Sequence, residues 1–166
     1  LCADQIIKSS EMIMKTAMLS LPYTFSIIKS ISYNHEDLIT NMWRNKGEIP
    51  DNGKDDDNNG YIDDVVGWDF FSNDSKPYDA IVTLTDLFTK GGNPGHGTHC
   101  AGVVGAALNN GVGAAGVAPQ AKIMALRILS EEGSGSNEGA IKAIDYASNN
   151  GAQIISASWG GEKGEE

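Results

Sequence analysis

The feature that most constrains the fold of this chain is an alternation of apolar segments between residues 122 and 158. Residues 122–128 form a mostly apolar run of strand length, and a second such run follows at residues 153–158. Between them, apolar residues recur at the spacing of one helix face, at Ala140, Ile141, Ile144 and Ala147. Two strands joined by a helix make a βαβ unit, whose strands lie parallel in one sheet. The sequence therefore predicts an α/β fold with a mostly parallel sheet flanked by helices.

A further helix and two loops are predicted before this unit. Residues 98–108 are rich in Ala, Gly and Val and contain no Asp, Glu, Lys or Arg, which is typical of a buried helix. Residues 111–116 match the pattern G-x-G-x-x-G, but a predicted helix precedes them where a dinucleotide-binding fingerprint requires a strand. Residues 72–95 contain many turn-forming residues and predict a long loop.

The composition argues against several classes of function. The chain has 12 basic and 22 acidic residues, a net charge of −10 and a pI of about 4.6. We therefore expect no nucleic-acid partner, because the nucleic-acid backbone is itself negatively charged. No segment approaches the roughly 18 apolar residues that a membrane-spanning helix needs, so we expect no membrane segment in this chain. The two cysteines, Cys2 and Cys100, are too few for a multi-disulfide scaffold.

The acidic residues are concentrated in one segment, since nine of the 13 aspartates lie between Asp51 and Asp79. Aspartate, aspartate and asparagine occupy positions one, three and five of a calcium-type loop, and Gly60 occupies position six. The acid that an EF-hand has at position twelve is missing, because Val66 stands there. The candidate calcium ligands are Asp55, Asp57, Asn59, the carbonyl of Tyr61, Asp63 and Asp64. The alternative is a solvated acidic turn without metal.

The residues most indicative of catalysis lie at positions 95–102, which read GHGTHCAG. His96 stands at the predicted start of a helix, where the positive end of the helix dipole favours a neutral imidazole that can act as a general base. Two other interpretations remain open at this point. The two histidines could be core residues, or His96, His99 and Cys100 could bind zinc, although no fourth ligand is spaced nearby.

The histidine segment and its surroundings resemble the subtilisin-like serine proteases, over roughly residues 33–161. The similar segments outside the histidine motif are YNHEDL (33–38), NMWRN (41–45), GYIDDVVGWDF (60–70), GVAP (116–119), KIMALRI (122–128) and IISASWGG (154–161). The resemblance implies a three-layer fold, proteolysis by an Asp-His-Ser triad, and His96 as the general base. We therefore expect a partial peptidase domain at residues 32–166, preceded by an unmatched segment at residues 1–31.

The resemblance also implies where a substrate binds. The residues Gly133, Ser134 and Gly135 match one of two edge segments between which the family holds a peptide. The residues Ser158, Trp159 and Gly160 match the other. The implied partner is a polypeptide in extended conformation, which would add to these edges as a strand. By the same resemblance, His99 and Cys100 support the helix that carries His96, and Cys100 is a free thiol.

The chain departs from the family at two members of the triad. Counting back from Tyr33, the family's aspartate falls at Ile28. The family's serine lies beyond the segment around Trp159, and this sequence ends at Glu166. We therefore expect a fragment, a view that the start at Leu1 also favours, with no peptidase activity and incomplete folding on its own.

Three hypotheses for function follow from these observations. The favoured one is part of a secreted or extracellular subtilisin-like endopeptidase with a structural calcium ion, although the sequence contains no clear signal peptide. The alternative is a non-catalytic, calcium-binding pseudoprotease module, because Ile28 replaces the acid while the acidic loop is intact. A zinc hydrolase built on His96 and His99 is the third. The oligomeric state is left open.

Overall fold

The described part of the chain folds around a parallel sheet of four strands. A computed structural model describes residues 23–78, 95–130, 133–158 and 160. In chain order the elements are β1 (Thr24–Ile28), a 3₁₀ turn (Ile39–Asn41), β2 (Gly67–Asp69), α1 (His96–Gly105), β3 (Lys122–Arg127), α2 (Asn137–Asn149) and β4 (Ile154–Ser156). The helical spacing of Met14, Met18 and Leu21 predicts a further short helix, which lies outside the described residues.

The spatial order of the strands is β2-β3-β1-β4, so β1 lies inside the sheet. It pairs parallel with β3 on one side and with β4 on the other, and β2 pairs parallel with β3. This arrangement confirms the predicted α/β class with a mostly parallel sheet. The central strand comes from residues 1–31, the segment for which the sequence showed no resemblance.

The sheet has a hydrophobic core on each face, because successive residues of a strand point to opposite sides. Ile123 of β3 packs in the same cluster as Ala101 of α1. Its neighbour Met124 packs in the cluster that contains Ala147 of α2. The two helices therefore lie on opposite faces, and the described residues form the three layers that were predicted.

The face that α2 buries overlaps only in part with the face that the sequence indicated. Its buried residues are Gly139, Ala143, Tyr146 and Ala147. Ile141 and Ile144 were expected on the packed face, but they are 60% and 39% exposed. The expectation was wrong for these two isoleucines but not for the alanines, since Ala147 is buried and Ala140 packs against the same core. The helix turns Ala143 and Tyr146 towards the sheet in place of the isoleucines.

The ends of the predicted elements shift by a few residues in the structure. The helix expected at residues 98–108 is α1, which begins at His96 and ends at Gly105. The strand expected at residues 153–158 is limited to β4. Of the long loop predicted at residues 72–95, positions 79–94 lie outside the described residues.

The glycine-rich segment at residues 111–116 is a loop between α1 and β3. The Asp37 carboxylate anchors it by accepting hydrogen bonds from Asn110 Nδ2 at 2.7 Å and from the Ala114 amide at 2.9 Å. These bonds lower the pKa of Asp37, with the Ala114 amide making the largest contribution. Within the described ranges, no helix combines the length and hydropathy needed to cross a lipid bilayer.

Candidate functional site

His96 is the first residue of α1 and is half-buried. Its nearest polar contact is the free thiol of Cys100, whose Sγ lies 3.7 Å from Nδ1 and 3.9 Å from Nε2. The ion pairs between described residues join Arg127 to Asp69 and Lys142 to Glu138, and none of them includes His96. No described carboxylate is therefore in place to orient the imidazole.

The start of α1 is held against the segment that follows β1. A Cβ at Gly97 would lie 2.2 Å from the carbonyl oxygen of Ser30, so only glycine permits this approach. Thr98 Oγ1 accepts a hydrogen bond of 2.9 Å from the Ser32 amide. The chain reaches this contact directly after Ile28, which is fully buried. Ile28, where the family resemblance places the aspartate, is thus the last residue of β1, beneath the helix that carries His96.

The two candidate substrate segments follow strands that flank β1. Because β1, β3 and β4 run parallel, their carboxyl ends lie at the same edge of the sheet. Residues 133–135 come after β3 and residues 158–160 come after β4, with Trp159 outside the described residues. The crevice beyond the carboxyl ends of parallel strands is where open α/β sheets bind ligands.

The described residues of the segment after β3 are joined by hydrogen bonds to Ser130. The Ser130 amide donates to the Ser134 carbonyl at 2.8 Å, and the Gly133 amide donates to the Ser130 carbonyl at 3.0 Å. Leu129 and Gly135 form an isolated antiparallel bridge at its base. Gly133, Ser134 and Gly135 are exposed, as are Ser158 and Gly160.

A separate acidic cluster forms where the acidic segment closes on itself. One ligand oxygen each from Glu48, Asp55 and Asp57 lies within 4.8 Å of the others. Among the described residues, this is the group of His, Cys, Asp and Glu side chains that could hold a metal ion, and it does not include His96, His99 or Cys100. Sequence reasoning missed Glu48, because it lies outside the alternating pattern and comes close to the aspartates only through loop closure.

Backbone amides surround the carboxylate of Glu48, which is 8% exposed. Its Oε1 accepts from the amides of Asp56 and Asp57, and its Oε2 accepts from the amide of Asp63 at 3.1 Å. Burial raises the pKa of Glu48 above its ordinary value of 4.5, and the negative charges of Asp64 and Asp57 raise it further, against the opposing effect of the amides. A cation bound nearby would therefore stabilise the charged form of the Glu48 carboxylate.

Asp63 and Asp64 hold the loop by hydrogen bonds. Asp63 accepts from the amides of Asn52 and Gly53 at 3.0 and 2.9 Å. Asp64 is fully buried. Its partners are the side-chain amides of Asn45 and Asn59 at 2.7 and 2.9 Å and the Tyr146 hydroxyl at 2.5 Å.

The Asp64 network connects the acidic loop to α2. Burial and the hydrogen bond to Asp64 raise the pKa of Tyr146, so its hydroxyl stays a donor. The ring of Tyr61 packs edge-on against Tyr146, with 5.0 Å between ring centroids, and also against Trp68 and Phe70. The loop is thus attached to the core by both polar and aromatic contacts.

Comparison with known proteins identifies the family. The family model described as the subtilase family, Peptidase S8, matches residues 26–166. Thermitase of Thermoactinomyces vulgaris is 46% identical over 100 residues, which cover 60% of this chain and 31% of thermitase. Subtilisin-like protease 1 of Plasmodium berghei (strain Anka) is 35% identical over 136 residues, which cover 80% of this chain and 20% of that protein.

A thermophilic serine proteinase of a Bacillus species (strain AK1) is 38% identical over 96 residues, 58% of this chain and 21% of that protein. The chain thus spans between a fifth and a third of the length of these relatives. The family match extends over most of the chain and confirms the resemblance that the histidine motif indicated. The protein therefore belongs to the subtilase family of serine proteases.

Proposed function

We propose that this chain forms part of the catalytic domain of a subtilisin-like serine endopeptidase. The observation that carries the proposal is the position of His96, at the start of a helix packed on the carboxyl edge of the sheet in a chain of this family. As general base, the imidazole would take the proton from a serine hydroxyl and return it to the leaving amine.

The proposed substrate is a polypeptide in extended conformation. It would lie between the segment of Gly133, Ser134 and Gly135 and the segment of Ser158, Trp159 and Gly160. Backbone groups of these segments would bind it as an added strand, while side-chain pockets would select its sequence. The exposure of the described members of both segments supports this assignment.

We further infer that the 166-residue chain alone does not hydrolyse peptides. Ile28 stands at the position of the triad aspartate, and the chain offers no match to the family's nucleophile segment. Loss of the aspartate alone lowers turnover by about 10⁴ in the analogous substitution of a serine protease. The partial domain includes β1 in this proposal, because the family match begins at residue 26 and β1 pairs within the sheet.

Peptide hydrolysis by the full chain tests this proposal. We expect no activity above that of a His96→Ala variant. Activity that His96→Ala abolishes would contradict the proposed inactivity and would support a functional base. A version with Ile28→Asp, mixed with a polypeptide that carries the nucleophile segment of a relative, should gain His96-dependent activity if the assignment of both positions is right.

The acidic cluster fits a structural calcium ion. Its donors are carboxylate oxygens, the ligands that calcium prefers, and none of the three carboxylates takes part in the ion pairs between described residues. Glu48, Asp55 and Asp57 would hold the ion, with Asn59 and the Tyr61 carbonyl as further donors. Asp63 and Asp64 would support the loop that carries them. When bound, the ion would supply charge compensation and a cross-link within the loop.

A second candidate function is a calcium-binding pseudoprotease module, which Ile28 at the aspartate position favours. It predicts tight calcium binding and no activity in the complete protein, whereas the endopeptidase hypothesis predicts activity there. By family resemblance we also propose that the complete protein is secreted. Its appearance in culture medium rather than in the cell fraction would test that assignment.

A further inference from the structure

A buried ion pair lies at the same sheet edge as the candidate substrate segments. Arg127, the last residue of β3, is 3% exposed, and Asp69, the last residue of β2, is fully buried. The distance from Arg127 Nη1 to Asp69 Oδ2 is 2.7 Å. Removing two charges from water is costly, so a buried pair is weak evidence for a gain in stability. We therefore interpret this pair as a means of fixing local geometry.

The guanidinium of Arg127 also contacts the turn that carries the first substrate segment. Its Nε donates a hydrogen bond of 3.0 Å to the carbonyl oxygen of Leu129, the residue that forms the bridge to Gly135. A Cβ at Gly135 would lie 2.4 Å from the carbonyl oxygen of Ile128, so the two ends of the turn are in close contact. Arg127 thereby sets the direction of the backbone at the point where the turn begins.

The other half of the pair holds the turn after β2. Asp69 Oδ1 accepts from the amides of Phe71 and Ser72 at 2.8 and 2.9 Å. The ring of Phe71 lies against the guanidinium, and its centroid is 5.2 Å from Arg127 Cζ. The planar guanidinium is therefore held on one side by the carboxylate and covered by an aromatic ring, which fixes the direction of its Nε–H.

We propose that Arg127 is a positioning residue for the substrate edge formed by Gly133, Ser134 and Gly135. This inference rests on the proposed function, because it concerns the edge to which the peptide would add. A peptide strand can pair only with amides and carbonyls that point in one plane, and a turn with two glycines does not hold that direction unaided. The bond from Nε to Leu129 adds a side-chain constraint to the backbone hydrogen bonds within the turn.

The test compares the wild-type chain with Arg127→Lys, which keeps the positive charge beside Asp69 and loses the planar fork. Amide hydrogen exchange by NMR reports the order of the turn at Ser130 and Ser134. Titration with the end-blocked peptide acetyl-Ala-Ala-Ala-Phe-amide reports binding at residues 133–135. Asn41→Ala is the matched control, because it removes the hydrogen bonds from Asn41 Nδ2 to the carbonyl oxygens of Gly105 and Pro119, beside the amino end of β3 and away from the turn.

We expect Arg127→Lys to accelerate exchange at Ser130 and Ser134 about tenfold relative to Ala125 in β3. We expect the Kd of the peptide to rise about fivefold, because binding must then also order the turn. Asn41→Ala should lower the melting temperature yet change neither reading by more than about twofold. If Arg127→Lys does not fold, Asp69→Asn replaces it in both measurements, with a smaller shift in the same direction.

Two results would overturn the inference in different ways. If the wild-type signals of residues 133–135 shift with the peptide and Arg127→Lys binds it equally well, Arg127 is not a positioning residue and the proposed function stands. If the wild-type signals do not shift at all, the substrate edge itself is wrong, and the role of Arg127 falls with it.

Discussion

The acidic loop and the histidine edge differ in how their functional side chains are held. In the loop, the carboxylates of Glu48, Asp63 and Asp64 each have at least two hydrogen-bond donors. His96 has a single sulfur neighbour among the described residues. The loop is thus internally supported, whereas His96 stands on a well-placed helix without the partner that would orient its ring. A side chain can be correctly located and still lack what its chemistry requires.

The largest effect that would sharpen this comparison is expected at Asp64. Asp64→Ala removes an acceptor that Asn45, Asn59 and Tyr146 share. The two asparagine amides keep Asp57 as a partner, whereas the Tyr146 hydroxyl has no other hydrogen-bond partner among the described residues. We expect a loss of about 3 kcal/mol in the free energy of unfolding, measured by urea denaturation. A loss below about 1 kcal/mol would mean that water replaces the carboxylate, and the loop would not depend on this network.

Tyr146→Phe should have a smaller effect, because Asp64 keeps both asparagine donors. We expect a loss of about 1.5 kcal/mol, and the double variant with Asp64→Ala should be less destabilised than the sum of the two. The same denaturation experiment measures the coupling. Additive losses would contradict a direct hydrogen bond between the two side chains.

Calcium should stabilise the loop through the cluster. We expect the wild-type melting temperature to rise when calcium is added. Glu48→Gln should weaken the apparent calcium affinity about tenfold. Glu138→Gln, on the exposed face of α2, is the control and should leave that affinity unchanged. Calorimetric titration measures both affinities. Equal affinity in wild type and Glu48→Gln would remove Glu48 from the site.

Acidification should weaken calcium binding, and the weakening should begin above the ordinary pKa of a glutamate. The pKa of Glu48 in the folded chain is raised above its ordinary value of 4.5. Protons therefore compete with calcium for this carboxylate as the pH falls through the raised pKa. Without calcium, acidification should have the opposite effect and stabilise the wild-type protein. A raised pKa in the folded state gives stability that is present at low pH and is lost as the pH rises through that pKa. The stability of the metal-free wild type should therefore increase relative to that of Glu48→Gln as the pH is lowered. Melting temperatures of both proteins against pH, with and without calcium, measure the two effects.

The smallest effect is expected at the histidine. His96→Ala removes a half-buried ring with one weak contact, so we expect the free energy of unfolding to change by less than about 0.5 kcal/mol. His99→Ala on the same helix provides the control. A large loss at His96 would indicate that its ring is a packing residue, and the contrast between the two regions would disappear.

Short-range patterns were the part of this structure that could be predicted well. The helix at residues 137–149 and the strands around it follow from local periodicity, and Asp55 and Asp57 were recognised from their alternation. Contacts between distant residues were not predictable. Glu48 joins the cluster only because the loop folds back, and Ile141 is exposed only because the sheet contacts the neighbouring face of α2.

By itself, the sequence determined the α/β class, the family, the concentration of acid between Asp51 and Asp79 and the residue that carries the candidate base. These are properties of residue type and local spacing, which act over one or two turns of chain. The tertiary structure alone decided that β1 lies inside the sheet, that Tyr146 holds Asp64 and that Arg127 reaches the turn at Leu129. Each joins groups whose meeting depends on the order of strands in the sheet, and no local pattern encodes that order.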